Sequence, residues 1–192
     1  MAVTKKITMQ GDVFEGISSV FALSGGLPTG LDLSDESLTE FPVSDDSGFN
    51  FDTGAPSIER FKVKGLATDW VNTFTPGDGE IKLEVPCHNT NILSLVGMEG
   101  TAATVKLPAG VSGEAVATAT GMSYPVTQKA VYLGLLILND TEDMLLFIKK
   151  VKLMAQLIFD GSNKPLCVVL TGSVASGGDT EAIGIATIGK AS

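Results

Sequence analysis

The chain has 192 residues, of which 22 are Asp or Glu and 13 are Lys or Arg, giving a formal net charge of -9 at pH 7. An acidic chain repels phosphate at a distance, which disfavours tight nucleic-acid binding. Hydrophobic residues make up 44% of the sequence and charged residues only 18%. We therefore expect some apolar surface to face another protein rather than water.

No targeting or membrane-spanning signal is evident. No apolar stretch follows Lys5 and Lys6, so no signal peptide is expected. Charged residues interrupt the apolar region 131–159 before it reaches the ~20 residues that a membrane helix needs. The two cysteines, Cys87 and Cys167, are too few for a disulfide framework, and reduced thiols indicate an intracellular site of synthesis.

Short strands are predicted at 3–9 and 20–23, and a Gly/Pro-rich stretch follows them. Residues 24–56 contain five glycines and three prolines, a density that interrupts both helices and strands. Ten acidic residues, but no Lys or Arg, occur between Lys6 and Arg60. Two interpretations stay open: a solvated acidic loop, or an arm that becomes ordered on a partner.

Period-two alternation begins after this stretch. Phe61 and Val63 share one face, which predicts a half-buried strand. Residues 75–79 are a dense turn signal, and the strand 80–85 follows with alternate residues directed inward. Trp70, with Phe74 nearby, is expected to pack against the core rather than to stack on a base.

One short helix is predicted. Asn89 can cap a helix over 90–96, and Gly97 suits its C-terminal end. Its apolar stripe consists of Ile92, Leu93, Leu95 and Val96.

The last half of the chain gives the strongest strand signals. We predict strands at 101–107, 130–138, 144–148, 151–159, 166–174 and 181–188, with a further edge strand possible within 110–121. The fold class is therefore mainly β (α+β): a β-sandwich or barrel of eight or nine strands, with one short flanking helix and a long loop or arm, in one domain over 1–192.

We expect no catalytic, cofactor-binding or metal-binding residues. His88 is the one histidine and no CxxC motif occurs, so no multi-histidine or zinc-finger site can form. Cys87 and His88 are adjacent, and neighbours in an extended chain point to opposite faces, whereas a nucleophile and its base must meet. Residues 184–191 resemble a P-loop, but Ala191 replaces the required Ser or Thr. The chain is not expected to be an enzyme.

The order of elements resembles the tail-tube (major tail protein) family of long-tailed bacteriophages and the related tube proteins of contractile injection systems. The resemblance covers residues 58–188. Its elements are the strand at 61–65, the turn and strand over 75–85, the helix near 92–96, the hairpin around 160–163, and the strands over 170–175 and 181–188.

This resemblance implies a virion structural protein that is synthesised in the host cytoplasm and forms the phage tail. Subunits of the family form rings, usually of six, which stack into a tube, and DNA passes through the lumen without specific binding. The implied partners are copies of the chain and other tail proteins such as the tape measure, terminator and initiator, with no membrane and no cofactor. An arm reaching the adjacent ring would use Asp32, Asp35, Glu36, Glu40, Phe41, Asp45, Asp46, Phe49 and Phe51.

Two alternatives stay open. Composition does not separate a tail-tube subunit from another virion protein, such as a capsid decoration or head–tail joining protein. A β-sandwich module that binds carbohydrate would need exposed aromatic side chains on a concave face, and aromatic residues make up 6% of the chain.

Overall fold

The computed structural model confirms a mainly β fold. It describes residues 14–43, 48–61, 64–65, 71–77, 79–86, 89–108, 117–159, 161, 166–175 and 181–189. The strands are β1 Ser19–Ser24, β2 Thr39–Phe41, β3 Phe49–Asp52, β4 Ser57–Phe61, β5 Val71–Thr75, β6 Glu80–Val85, β7 Thr101–Leu107, β8 Ala117–Ser123, β9 Ala130–Leu138, β10 Met144–Ile158, β11 Cys167–Val174 and β12 Ile183–Thr187. The helix α1 is Thr90–Leu95. One domain over 1–192 stays a prediction, because both termini lie outside the described residues.

Eight strands form one antiparallel central sheet. Its order is β2-β1-β9-β10-β11-β6-β3, and β12 pairs with β10 beside β11. The strands predicted at 144–148 and 151–159 are one strand of 15 residues, β10. Its pairing with β9 shifts register between Ile148 and Val151. A β-bulge inserts residues without ending the pairing, which explains why the two alternation patterns belong to one strand.

The central sheet rolls around a single core. Paired residues in an antiparallel sheet share a face, and the inward rows include Leu135 with Ala22 and Leu170 with Leu83. Phe41 from the edge strand β2 belongs to the same buried cluster as Leu83, and Phe49 from the opposite edge packs against that cluster. Both edges of the sheet therefore contribute to one core.

The predicted helix is confirmed with its caps. The Asn89 side chain accepts a hydrogen bond from the backbone N–H of Asn91 at 2.9 Å. Gly97 has a φ of +78°, in the left-handed region that favours glycine after a helix. Ile92, Leu93 and Val96 are buried, and Leu95 is half-buried. The helix therefore contributes one face to the core.

A buried asparagine forms the turn between β9 and β10. Asn139 is 2% exposed. Its side-chain oxygen accepts hydrogen bonds from the backbone N–H groups of Asp143 and Met144, and its Nδ2 donates to Thr141 and Asp143. These bonds satisfy an amide that would otherwise be costly to bury.

Residues 24–56 contain regular structure, although a loop or an arm was predicted there. This stretch contains β2, which pairs with β1, and β3, which pairs with β6. Phe41, predicted to lie on an arm, is 1% exposed and belongs to the core. The prediction failed because strands of three and four residues leave too little alternation to detect beside frequent Gly and Pro.

The strand predicted around Phe61 is present as β4, but its predicted half-burial is wrong. Each residue of β4 is exposed, and Phe61 is 60% exposed. Phe74, expected to pack near the core, is 65% exposed. Val63 and Trp70 lie outside the described residues. The side chains of Phe61 and Phe74 therefore face away from the core of their own chain.

Truncation of two phenylalanines tests this revised core. We expect Phe41→Ala to lower the free energy of unfolding by about 3–5 kcal/mol, since it empties a buried site. Phe74→Ala changes an exposed side chain and should alter the unfolding free energy by less than about 0.5 kcal/mol. Urea unfolding of the monomer, followed by circular dichroism, measures both. Equal effects of the two substitutions would contradict the assignment of Phe41 to the core.

Candidate assembly surfaces

Two β-hairpins lie outside the central sheet. The first, here called the arm hairpin, consists of β4 and β5, and the second hairpin consists of β7 and β8. Each is a two-stranded antiparallel sheet. A lone two-stranded hairpin is marginally stable in water, so these elements need support from further contacts.

The arm hairpin continues the register of the sheet. Asp52 pairs with Glu80 at the end of the central sheet, and Ser57 pairs with Thr75 at the start of the arm hairpin. The residue numbers of each pair add to 132 (52 + 80 and 57 + 75), so no residue is gained or lost between the two ladders. The arm hairpin is therefore an extension of the β3–β6 pair.

A break separates the arm hairpin from the sheet. It comprises residues 53–56 on one strand and 76–79 on the other, with Pro56 and Pro76 in it. Proline cannot donate to a ladder. A Cβ at Gly77 would overlap the backbone of Gly54 and Ala55, so the two strands stay in close contact through the break. The two prolines lack the N–H groups that would donate to the ladder, so the ladder is interrupted while the strands stay together.

The arm hairpin exposes apolar side chains on both faces. Ile58 and Phe74 are a cross-strand pair on one face. Phe61 and Val71 are a pair on the opposite face, which also carries Glu59. All four apolar side chains are among the exposed large hydrophobics of the protein. Exposed apolar clusters of this kind indicate a protein-binding surface.

The second hairpin is built mainly of small residues. Thr, Ala and Gly dominate β7 and β8, and Val105 and Met122 are its large exposed apolar residues. A ribbon of small side chains permits close approach by another backbone.

An apolar cleft lies at the base of the second hairpin. Met98 precedes β7 and Tyr124 follows β8, and both line this cleft. Its volume is about 400 Å³. Val96, Pro125, Val126, Thr127, Gln128, Lys129, Ala155, Gln156 and Leu157 complete the lining. We call it the helix cleft, because Val96 lies at the end of α1.

The arm hairpin and the helix cleft lie towards opposite ends of the β3–β6 pair. The arm leaves the sheet at the row formed by Asp52 and Glu80. Leu157 of the cleft lies in the row of Val168 and Val85. Since β6 runs from Glu80 to Val85, about 17 Å separates the two rows along the strands.

The edge strand β12 has an open side. Lys149 donates its backbone N–H to the carbonyl of Ala182, and Ile188 donates to that of Asp143. The hydrogen-bonding direction alternates along a strand. The backbone groups of Ile183, Ile185 and Thr187 therefore point away from β10 and meet no other strand in the described part of the chain.

Side chains make this edge attractive to another strand. Ile185 is 62% exposed, and an exposed apolar edge strand is a template for pairing with another chain. The edge strand β2 differs, because it has three residues and Pro42 follows it directly. A short strand that ends at proline is protected against such pairing.

The outer face of the sheet is mixed in charge. Lys82 pairs with Glu84 at 2.7 Å, and this hydrogen bond and charge raise the pKa of Lys82 above its usual value. The Lys150 ammonium lies 4.9 Å from the centre of the Tyr132 ring. This face therefore combines charged side chains with exposed apolar ones, such as Met154 and Ile158.

The predicted acidic arm residues divide into two groups. Asp32, Asp35, Glu36 and Glu40 are exposed. The Ser34 hydroxyl and backbone N–H donate to Asp32, which lowers the pKa of that carboxyl. Asp45 and Asp46 lie outside the described residues.

The phenylalanines predicted for the arm lie on strands of the central sheet instead. Phe49 and Phe51 are half-buried on β3, against the core. The arm hairpin was not predicted, although Pro56 and Pro76 mark where it begins and ends. The turn predicted at 75–79 is wrong, because the strand register continues through these residues from β5 into β6. A role for the exposed acids in ring stacking stays a prediction.

No group of three or more His, Cys, Asp or Glu side chains among the described residues is arranged to hold a metal ion. Cys87 and His88 lie outside that part. Within it, no helix has the length and apolar character to span a bilayer.

Comparison with known proteins gives a structural neighbour at low sequence identity. No protein-family model matches the chain, and no curated protein matches it. Among solved structures, the chain is similar to a chain in the "Cryo-EM structure of the anti-feeding prophage (AFP) baseplate, 6-fold symmetrised". The identity is 12%, the TM-score is 0.47, and the match covers 91% of this chain and 94% of that chain. Similarity at this level defines neither a family nor a function.

Amide hydrogen exchange tests whether the two hairpins lack support from the rest of the subunit. In the monomer, we expect the amides of β4, β5, β7 and β8 to exchange at least about 100-fold faster than those in the middle of β10, because local opening of an exposed hairpin disrupts few buried contacts. Mass spectrometry of exchanged peptides measures both. Equal protection of the arm hairpin and β10 would show that the hairpin is packed in the free subunit.

Proposed function

We propose that this protein is a non-enzymatic structural subunit that assembles with its own copies into stacked rings, forming the tube of a phage or a phage-like injection tail. One observation carries self-assembly: a hairpin with four exposed apolar residues extends from one end of the β3–β6 pair, while an apolar cleft opens towards the other end of that pair. The tube assignment comes from the family resemblance of residues 58–188.

Contacts between opposite ends of a subunit propagate. A surface that meets a different surface on the next copy makes a head-to-tail contact, which closes into a ring or continues as a filament. The arm hairpin and the helix cleft are separated along the strand direction. Contacts between them would therefore stack subunits along that direction.

The open edge of β12 supplies a different contact direction. Strand pairing adds a neighbour sideways, perpendicular to the strands, through backbone hydrogen bonds. A sideways contact that closes by rotation makes a ring. We propose that β12 contributes to the ring and the arm hairpin to stacking, and that the ring has six subunits, as in the family.

Charge fits passage of DNA through such a tube. The chain carries a net charge of -9, and a surface of that sign repels phosphate. We propose that part of this charge lines the lumen, so that DNA passes without specific binding. The tape measure, terminator and initiator are the proposed partners at the tube's interior and ends.

Deletion of the arm hairpin tests the assembly function. Removing residues 56–76 joins Ala55 to Gly77, whose backbones already lie in close contact. We expect a folded monomer with cooperative unfolding that forms neither rings nor tubes, because the core strands β3 and β6 stay paired. Negative-stain electron microscopy and sedimentation velocity measure assembly, and circular dichroism checks the fold.

The matched control keeps the arm hairpin and changes the sheet. Lys82→Ser removes one exposed ion pair of the outer face, which contributes little to stability, and should assemble as the wild type does. Normal tubes from the deletion variant would refute a role for the arm hairpin.

A further inference from the structure

We infer that the receptor for the arm hairpin is the helix cleft of a second copy of this chain, occupied by the face that carries Phe61, Val71 and Glu59. This inference rests on the proposed self-assembly and identifies the docking site within it. The evidence comes from reach, size, polarity and charge.

Reach favours a second copy over the same chain. The cleft lies at the end of the β3–β6 pair remote from the arm, in the row of Leu157 and Val85. The arm starts at the row of Asp52 and continues away from the cleft as far as Phe61. The distance from Asp52 to Phe61 is up to about 30 Å if these residues are extended. A copy displaced along the strands would bring its cleft to the arm.

Size favours a pair of apolar side chains as the occupant. The Phe61 and Val71 side chains together contain about ten carbon atoms, which displace roughly 300 Å³ at about 30 Å³ for each water-sized atom. The cleft has about 400 Å³. One cross-strand pair therefore fits with room for the adjoining polar side chains.

Polarity of the cleft matches that pair. Val96 is buried at the cleft floor, and Met98, Tyr124 and Leu157 are half-buried. Val126 is 99% exposed at its rim, so an apolar side chain stands in water until something covers it. Removing these surfaces from water together stabilises association.

Charge selects one face of the arm hairpin. Lys129 is the one charged residue among the described residues that line the cleft. Glu59 lies on the same face as Phe61 and Val71, whereas Arg60 lies on the face of Ile58 and Phe74. The first face places a carboxylate near Lys129, and the second would place a guanidinium there.

Photo-crosslinking with a matched control tests the assignment. p-Benzoylphenylalanine replaces Phe61 in one variant and Phe74 in the other, each mixed as equal parts of ¹⁵N-labelled and unlabelled chain. We expect position 61 to crosslink to peptides containing residues 96–98, 124–129 or 155–157 of the other chain. Position 74, on the opposite face, should not enrich those peptides. Crosslinks from position 61 to any other region, or equal capture of the cleft by both positions, overturn the inference.

A charge exchange gives an independent readout. We expect Glu59→Lys and Lys129→Glu each to raise the critical concentration for assembly about fivefold, and the double variant to return it to within about twofold of wild type. Lys152→Glu, at an exposed lysine on the outer face, is the control and should change it by less than about twofold. A double variant no better than either single variant contradicts the docking.

The outcomes separate this inference from the proposed function. A wild-type chain that stays monomeric at about 1 mM, where even weak contacts are populated, contradicts both. A wild-type chain that forms tubes but crosslinks elsewhere contradicts only the helix cleft as the receptor.

Discussion

Backbone pairing along β10 organises this protein. The strand has 15 residues, and it pairs with β9 on one side and with β11 and β12 in succession on the other. Backbone groups that lack water must be paired within the protein, so one long strand fixes the register of three others. That register determines which core side chains lie side by side on neighbouring strands, as at Leu135 of β9 and Ile148 of β10.

The length of β10 also accounts for the exposed edge of β12. The β11 strand covers β10 only from Val151 onward, and β12 pairs with the earlier part, from Met144 to Ile148. This short strand completes the pairing of β10 and leaves its own far side open. The strand β12 thus satisfies the backbone groups of β10 with one edge. Its other edge is the one proposed to pair with a neighbouring subunit.

Much of the fold was predictable, since alternation is a local property. The strand Glu80–Val85 and the helix capped by Asn89 follow from patterns within a few residues. The assembly surfaces were harder to foresee, because alternation indicates that a face is covered without saying by which chain. Phe61 gave the pattern of a half-buried strand and Phe74 was expected to pack with Trp70, yet both phenylalanines are exposed in the subunit. Phe41 shows the converse, since the surrounding glycine and proline hid its burial.

The break between the sheet and the arm hairpin has a mechanical consequence. Pro56 and Pro76 remove ladder bonds there, while Gly77 keeps the two strands together. If the proposed tube curves, neighbouring subunits must tilt slightly against one another. Rotation at this joint would absorb such tilting and leave the core of each subunit undistorted.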